Sequence, residues 1–364
     1  MILHLLTDEK FSDYVVTQFS DKQLCSEFAL VTSKKKCFYF HYQNEIKTFN
    51  PDAKSDLQEL LIICNKYNAV VFHGLFYPWQ EWLLCNLNSN VKKAWVFFGG
   101  EIYGQSELIH TFLLPISRFF NKLHRLKCSK NSYVFPKRKI NNMDYCLTSV
   151  REEYEFAKDY LSSDFVWLWY TYYTIEEVLG TLIDKRCSGN SIWIGNSATI
   201  ENNFFDILFR LKRLGINDRK IIIPLSYGVQ WVSNYTQKVG KFLFGTKIMP
   251  LLTFLPREKY NAKMLSCSVM IQPHLRPQAH GNVLTGLWLG MRVYLCEAGI
   301  EYKFLKRIGL VLFSIEKDLV SNNSNKYSLL SDVEIEHNRR ILLQYYGKNN
   351  ITKKIQEISK VLND

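Results

Sequence analysis

Short apolar runs alternate with longer amphipathic ones along most of this chain, and that rhythm predicts its architecture. In the first half, strand-like runs fall at 2–6, 28–32, 69–72, 94–98, 146–148 and 166–170. Helical patterns lie between them near 56–66, 79–87, 108–126 and 152–161. A short polar stretch at 184–190, containing Gly189, interrupts the pattern. The alternation then restarts, with apolar runs at 192–194, 221–223, 253–255, 269–271, 293–295 and 311–313 and helical segments between them. Residues 333–362 read as helical throughout, with a break expected at Asn349–Asn350. Strands alternating with helices predict largely parallel sheets covered on their faces. The expected division is a Rossmann-like domain at 1–183, a linker at 184–190, a second Rossmann-like domain at 191–330 and a helical tail at 331–364. No internal repeat or low-complexity tract is visible.

Composition narrows the class. A chain of 364 residues is long enough for two α/β domains with full cores, and 47% hydrophobic residues with 15% aromatics exclude a disordered chain. Nine cysteines, an odd count without a C-x-x-C pair, favour reduced thiols in a cytoplasmic protein over a disulfide framework. The first ten residues lack a basic region followed by a long apolar core, so they read as a first strand rather than a signal peptide. No run approaches a membrane-spanning length.

The net charge of +12 calls for an acidic partner: a phosphorylated substrate, an anionic lipid surface or nucleic acid. Between Leu108 and Met143 there is no acidic residue, yet eight basic ones fall there, among them Arg118, Lys122, Arg125 and Lys137 to Lys139. The helix expected at 108–126 places Phe112, Ile116, Phe119, Phe120 and Leu123 on an apolar face and Arg118, Lys122 and Arg125 on the other. It reads either as a helix on its own sheet with a solvated basic back or as a segment docking on an anionic membrane. Few aromatics interleave with these bases and no nucleic-acid-binding motif accompanies them, so nucleic acid is not the expected partner.

Chemistry is expected where buried strands empty into polar loops ahead of helices, the places where α/β proteins hold anionic ligands. Gly195-Asn196-Ser197 follows one such strand, and Pro224 and Tyr227 follow the next. The richest loop runs from His274 to Asn282, where Arg276 supplies charge while Gln278, Gly281 and Asn282 supply amide donors at a helix start. His274 and His280 stand six apart without a carboxylate or cysteine at ligand spacing, so no metal is expected there. In the first half, Asp8 reads either as a helix cap or as a carboxylate at a strand end, and Glu101 ends another strand. His73 is either a satisfied core group or a ligand-facing base.

Five segments, in order from the first strand to about Leu295, resemble the TDP-N-acetylfucosamine:lipid II N-acetylfucosaminyltransferase family, glycosyltransferase family 56. They are His73 to Pro78, Trp95 to Tyr103, Ile194 to Ser197, Ile223 to Tyr227, and Arg276 to Gly281 with its helix. Phe98 stands where the family pattern has a second Trp, and Glu101 where it has Asp. The resemblance implies a GT-B fold, α/β, with two Rossmann-like domains facing a central cleft and a C-terminal helical tail. It implies transfer of 4-acetamido-4,6-dideoxygalactose from a dTDP-sugar donor to a polyprenyl-diphosphate-linked acceptor. The setting would be enterobacterial common antigen or O-antigen synthesis, by a protein peripheral to the cytoplasmic side of the inner membrane. The donor would lie on Gly195, Asn196, Ser197, Pro224, Tyr227, Arg276, Gln278, Gly281 and Asn282. Glu101, Asp8 or His73 would take the acceptor's proton. No cofactor or metal is implied, and the chain has no Asp-x-Asp element for Mg²⁺. A sugar-nucleotide 2-epimerase of the same architecture, or a basic nucleic-acid-binding protein, are the alternatives.

Overall fold

The computed structural model describes residues 1–125, 133–216 and 218–364; the side chain of Arg125 also lies outside the described set, as do Lys127 and Lys130 of the basic stretch. The chain forms two compact units. The first comprises 1–106, 133–174 and Lys348–Asp364; the second comprises 107–125 and, among the described residues, Ile175–Gly347. The boundary therefore falls just ahead of Ile175 rather than in the 184–190 stretch, and each unit borrows a segment from elsewhere in the chain.

The first unit is built on a seven-stranded parallel sheet. Its strands are β1 (Ile2–Leu6), β2 (Ser26–Val31), β3 (Lys47–Phe49), β4 (Ala69–His73), β5 (Lys92–Val96), β6 (Tyr145–Leu147) and β7 (Val166–Leu168). They run in the order β3-β2-β1-β4-β5-β6-β7. β1 and β4 are buried along their whole length, as an apolar run between two helical layers requires. The helix Lys348–Asn363 closes this unit: Ile351, Ile355, Ile358 and Leu362 recur at helical spacing and are buried with Ile2, Leu6 and Val71. Each such side chain contributes about 1.5–3 kcal/mol when fully buried. Ser359 Oγ (2.6 Å) and Asn363 Nδ2 (3.3 Å) donate to Leu24 O and fasten the helix end.

The second unit holds a six-stranded parallel sheet. Its strands are β8 (Ser191–Ile194), β9 (Ile221–Pro224), β10 (Ile248–Leu251), β11 (Cys267–Gln272), β12 (Arg292–Leu295) and β13 (Phe313–Ser314), in the order β10-β9-β8-β11-β12-β13. The strand expected at 253–255 lies five residues earlier. Pro250 is tolerated in it because β10 is an edge strand, where a missing amide costs no ladder bond.

The helix expected at 108–126 is two pieces, a 3-10 turn at Ile109–Phe112 and a helix at Pro115–Arg125, because Pro115 starts a helix rather than continuing one. Asp206 accepts from the amides of Ile116 (2.9 Å) and Ser117 (2.8 Å), capping that helix from the neighbouring Phe204–Arg213. Phe120 stacks on Phe205 at 4.2 Å while Phe119 and Leu123 are exposed, so the apolar face is divided rather than buried as one. The tail breaks at Gly347: Asp332–Tyr346 belongs to the second unit and Lys348–Asn363 to the first. No helix among the described residues is long and apolar enough to cross a membrane.

Candidate functional site

In both sheets the strand order reverses direction once, between β1 and β4 and between β8 and β11. Loops leaving the carboxyl ends on either side of such a point diverge and leave a crevice for a ligand. The donor-binding and proton-accepting residues expected from the sequence all end or follow strands at the carboxyl edge of one sheet or the other, whereas Arg118 and Lys122 lie on the helix Pro115–Arg125.

In the second unit the loop after β8 begins at Gly195, whose φ of +65° admits glycine readily; a Cβ there would lie 2.5 Å from the Phe204 ring and 2.8 Å from Asn202 Oδ1. Gly195 to Ser197 lie in the loop expected between strand and helix. A 3-10 turn at Ile200–Asn202 intervenes before the helix Phe204–Arg213, so these residues form a loop of their own. Asn202, fully buried, holds that loop by donating to Ser197 O (3.0 Å) and Thr199 Oγ1 (2.9 Å). Asn203 ties it to the loop after β11 by donating to Pro273 O at 2.9 Å.

Asn196 Nδ2 donates to Tyr227 Oη at 3.2 Å, and Thr199 Oγ1 donates to Gln278 Oε1 at 3.3 Å. Arg276 lies 3.6 Å from Glu201, so its charge already has an internal counter-ion. Asn282 Nδ2 donates to Tyr260 Oη at 3.0 Å, and the Tyr260 ring packs edge-on against Trp193 at 5.1 Å. Pro224 ends β9 and Gly281 lies in the first turn of the helix His280–Trp288. The expected donor residues therefore share one edge of the sheet. Asn282's own amide donates to Ala279 O at 2.8 Å, which leaves the first-turn amides of His280 and Gly281 as the backbone donors of this helix start. The buried polar atoms here without a partner include three side-chain amide atoms, Asn196 Oδ1, Gln272 Oε1 and Gln278 Nε2. A buried polar group left unpaired is costly, and a ligand that paired with these atoms would offset that cost.

Behind this loop lies a network that the sequence did not reveal. Glu301, fully buried, accepts from His274 Nε2 at 2.5 Å and His280 Nδ1 at 2.6 Å, and His280 Nε2 lies 2.7 Å from Tyr346 Oη. Burial alone would raise the Glu301 pKa, but the hydrogen bonds and charge of the two imidazoles outweigh it and hold the group at about 2. The pair of histidines is thus organised around a carboxylate 21 and 27 residues away. No group of three His, Cys, Asp or Glu side chains among the described residues is arranged to hold a metal ion.

In the first unit His73 ends β4, while Asp8 and Glu101 follow the carboxyl ends of its two sheet neighbours, β1 and β5. Asp8 does not cap the next helix, which starts at Ser12 with Phe11 as its cap residue. Its carboxylate instead accepts from the amides of Phe38, Tyr39 and Phe40 at 2.7–3.1 Å and from Lys34 Nζ at 2.7 Å. Burial opposes ionisation, yet Lys34 and the three amides overcome it and hold the pKa at about 2. His73 is buried, with Nδ1 3.0 Å from Tyr172 Oη and Nε2 3.1 Å from His4 Nδ1. Burial, and then the neighbouring His4, push its pKa well below the ordinary range, so it is a neutral and weak base.

Glu101 sits in the short helix Gly100–Tyr103 rather than at the strand end itself. Its Oε1 accepts from Trp95 Nε1 (3.0 Å), Leu75 N (3.2 Å) and Phe98 N (3.3 Å), while Oε2 is buried without a partner. Burial pushes its pKa up to about 7 against the pull of these hydrogen bonds. Gln80 shares the work of shaping the loop after β4, accepting from Phe76 N and Tyr77 N and donating to Gly74 O. Gly74 has a φ of +82°, and a Cβ there would meet Phe76 at 2.5 Å.

No protein-family description matches the chain, and no curated sequence matches it either. Solved structures do match over its whole length. A glycosyltransferase from Rickettsia africae superposes with a TM-score of 0.62 at 13% identity, covering 99% of this chain and 98% of that one. A trehalose-6-phosphate protein of E. coli bound with UDP-2-fluoro glucose gives 0.60 at 11%, covering 100% and 99%. The HepE protein of Anabaena in complex with UDP and glucose gives 0.54 at 10%, covering 100% and 95%. The fold is that of GT-B glycosyltransferases, with two parallel-sheet α/β domains and a long C-terminal helix.

Proposed function

We propose that this chain is a glycosyltransferase that draws on a nucleotide-sugar donor held by its second unit. The observation that carries the reading is the set of buried amide atoms without a partner, Asn196 Oδ1, Gln272 Oε1 and Gln278 Nε2, at the strand-order reversal beside the helix start at His280. An anion at that helix start gains from its amides and dipole, while hydroxyl groups of a ribose or sugar satisfy the orphaned acceptors. Two chains of the same fold, from E. coli and Anabaena, were solved with UDP and a sugar or as a UDP-sugar complex.

In the reaction, an acceptor hydroxyl forms a bond to the anomeric carbon as the bond to the nucleoside diphosphate breaks. The diphosphate leaves with the electron pair, and the hydroxyl proton passes to a base. Of the three candidates in the first unit, Glu101 suits the base role best. Its pKa of about 7 matches neutral operation and one of its oxygens is without a partner. Asp8 is too acidic and spent on the 38–40 loop; His73 is too weakly basic.

The family 56 resemblance gives the finer reading: a dTDP-linked 4-acetamido-4,6-dideoxygalactose donor and a polyprenyl-diphosphate-linked acceptor, without a divalent metal. Such an acceptor requires work at the cytoplasmic face of the inner membrane. Two helices of the second unit support docking there. Pro115–Arg125 and Gln230–Phe244 carry no acidic residue and meet through His124 stacked on Trp231 at 4.2 Å and Phe120 against Tyr235. They leave Phe119, Leu123 and Phe242 exposed among Arg118, Lys122, Lys238 and Lys241.

Melting the protein against a panel of dTDP-, UDP- and GDP-sugars tests the donor reading, since a ligand bound only by the native state stabilises by mass action. A dTDP-sugar is expected to raise the melting temperature most, and Arg276→Ala to remove most of that shift. No response to any nucleotide sugar would sink the reading. Isomerisation of a donor without an acceptor would favour the epimerase.

A further inference from the structure

Tyr227 follows β9 and Phe254 follows β10, two paired strands whose ends, Pro224 and Leu251, are in register. Their rings stack almost parallel, at 4° with centroids 5.9 Å apart, yet Tyr227 is 47% exposed and Phe254 70%. Two large rings ordered against each other but left in solvent add little to the core, and their value lies in what they meet. With one face turned to Tyr227, an exposure of 70% leaves the other face of Phe254 open.

The Tyr227 ring is fixed in place. Its hydroxyl accepts from Asn196 Nδ2 at 3.2 Å, and its carbonyl accepts from Ala198 N at 2.7 Å. The same Asn196 has a buried Oδ1 without a partner, and Gln272, whose Nε2 donates to Gly195 O, carries a second such acceptor in Oε1. Thus a flat apolar surface, hydroxyl-seeking acceptors and a helix start with free amides occur along one sheet edge. A planar base, a ribose and a diphosphate present those three chemistries in that order.

We propose that Phe254, backed by Tyr227, is the platform on which the nucleobase of the donor stacks, with Asn196 Oδ1 accepting from a ribose or sugar hydroxyl. The inference rests on the nucleotide-sugar reading above and adds the residue that grips the base. Stacking recognises the π-face that every base carries, so the platform sets affinity rather than the choice between thymine and uracil.

Calorimetric titration of the full chain with dTDP, UDP and inorganic pyrophosphate tests it. Phe254→Ala is expected to weaken both nucleoside diphosphates by about ten- to a hundred-fold, the range for loss of one base-aromatic stack. Phe254→Tyr should bind as wild type, and pyrophosphate should bind all three proteins equally. Because Phe254 is exposed, the ligand-free melting temperature of both variants should match wild type. Wild-type nucleotide affinity in Phe254→Ala would overturn the platform while leaving the donor reading intact. An equal loss of pyrophosphate binding would also overturn it, by showing damage to the phosphate site. Failure of the wild type to bind either nucleotide would remove both ideas together.

Discussion

His274 and Glu301 share a hydrogen bond of 2.5 Å between Nε2 and Oε2, and both side chains are buried. The bond joins the loop after β11 to the first turn of the helix Ile300–Arg307, and His280 adds a second bond to the same carboxylate. Glu301 thus fixes both ends of the loop that carries Arg276 and Gln278.

A pH dependence of stability follows. The unfolded Glu301 binds its proton near the ordinary 4.5, the folded one only near about 2. Between these values the unfolded chain holds more protons, so acid favours unfolding. The stabilisation is complete above the unfolded value and disappears as pH falls toward the folded one. At 1.36 kcal/mol per unit, the group contributes about 3 kcal/mol at neutral pH. Glu301→Gln should lower neutral-pH stability by about that amount and flatten the acid limb between about pH 5 and pH 2. Urea melts across that range decide it; unchanged slopes would mean that the carboxylate is not ionised in the fold.

Glu101 gives the opposite sign. Its folded pKa of about 7 stands above the ordinary 4.5, so the native state binds protons more readily and loses stability as pH rises between the two. Glu101→Gln, which keeps the shape and is always neutral, should remove that loss. If Glu101 is also the base, the same substitution should cut turnover by about two to four orders of magnitude. Donor affinity should barely change. Stability that follows this pattern with turnover intact would assign Glu101 to the loop after β4 alone, and Asp8→Asn and His73→Ala would then be measured for the base.

How much of this was visible in the sequence differs by element. β1 and the strands ending near Ile194 and Leu295 were legible because buried parallel strands are continuous apolar runs. β3 was not: Lys47-Thr48-Phe49 is a three-residue edge strand with two exposed positions, and nothing in it departs from a loop. The loops at Gly195 and Arg276 were legible because strand, polar turn and helix follow one another locally. Glu301 was invisible to the same reasoning, since its bonds to His274 and His280 are made by the fold and not by spacing. Asp8 stayed open between a helix cap and a strand-end carboxylate for a similar reason: its partners, at Lys34 and 38–40, arrive from beyond the end of the next strand.

Transfer should proceed without a divalent cation. The leaving diphosphate would be met by the amides of His280 and Gly281 and by Arg276, which are preorganised donors needing no metal. Full activity in excess EDTA is the expected result. Loss of activity with rescue by Mg²⁺ or Mn²⁺ would show that these groups do not suffice.

The membrane prediction rests on the paired helices Pro115–Arg125 and Gln230–Phe244. Trp231, Tyr235, Lys238 and Phe242 recur at helical spacing on the second, and its first half packs against Phe120 and His124 of the first. Phe242 is 87% exposed and Phe119 60%, which an aqueous surface does not favour but an interfacial one does. Basic residues near an anionic leaflet contribute about 1 kcal/mol each, screened over roughly 10 Å at 0.1 M salt. Co-sedimentation with anionic vesicles, but not neutral ones, is therefore expected, and it should weaken as salt rises. Reversing Arg118, Lys122 and Arg125 to Glu should release the protein, and Phe242→Ala should weaken binding while leaving its salt dependence in place. Both changes should slow transfer to a long-chain lipid acceptor more than to a short soluble analogue. Equal loss on the two acceptors would show that these helices serve the fold or the acceptor pocket, and the membrane assignment would fail.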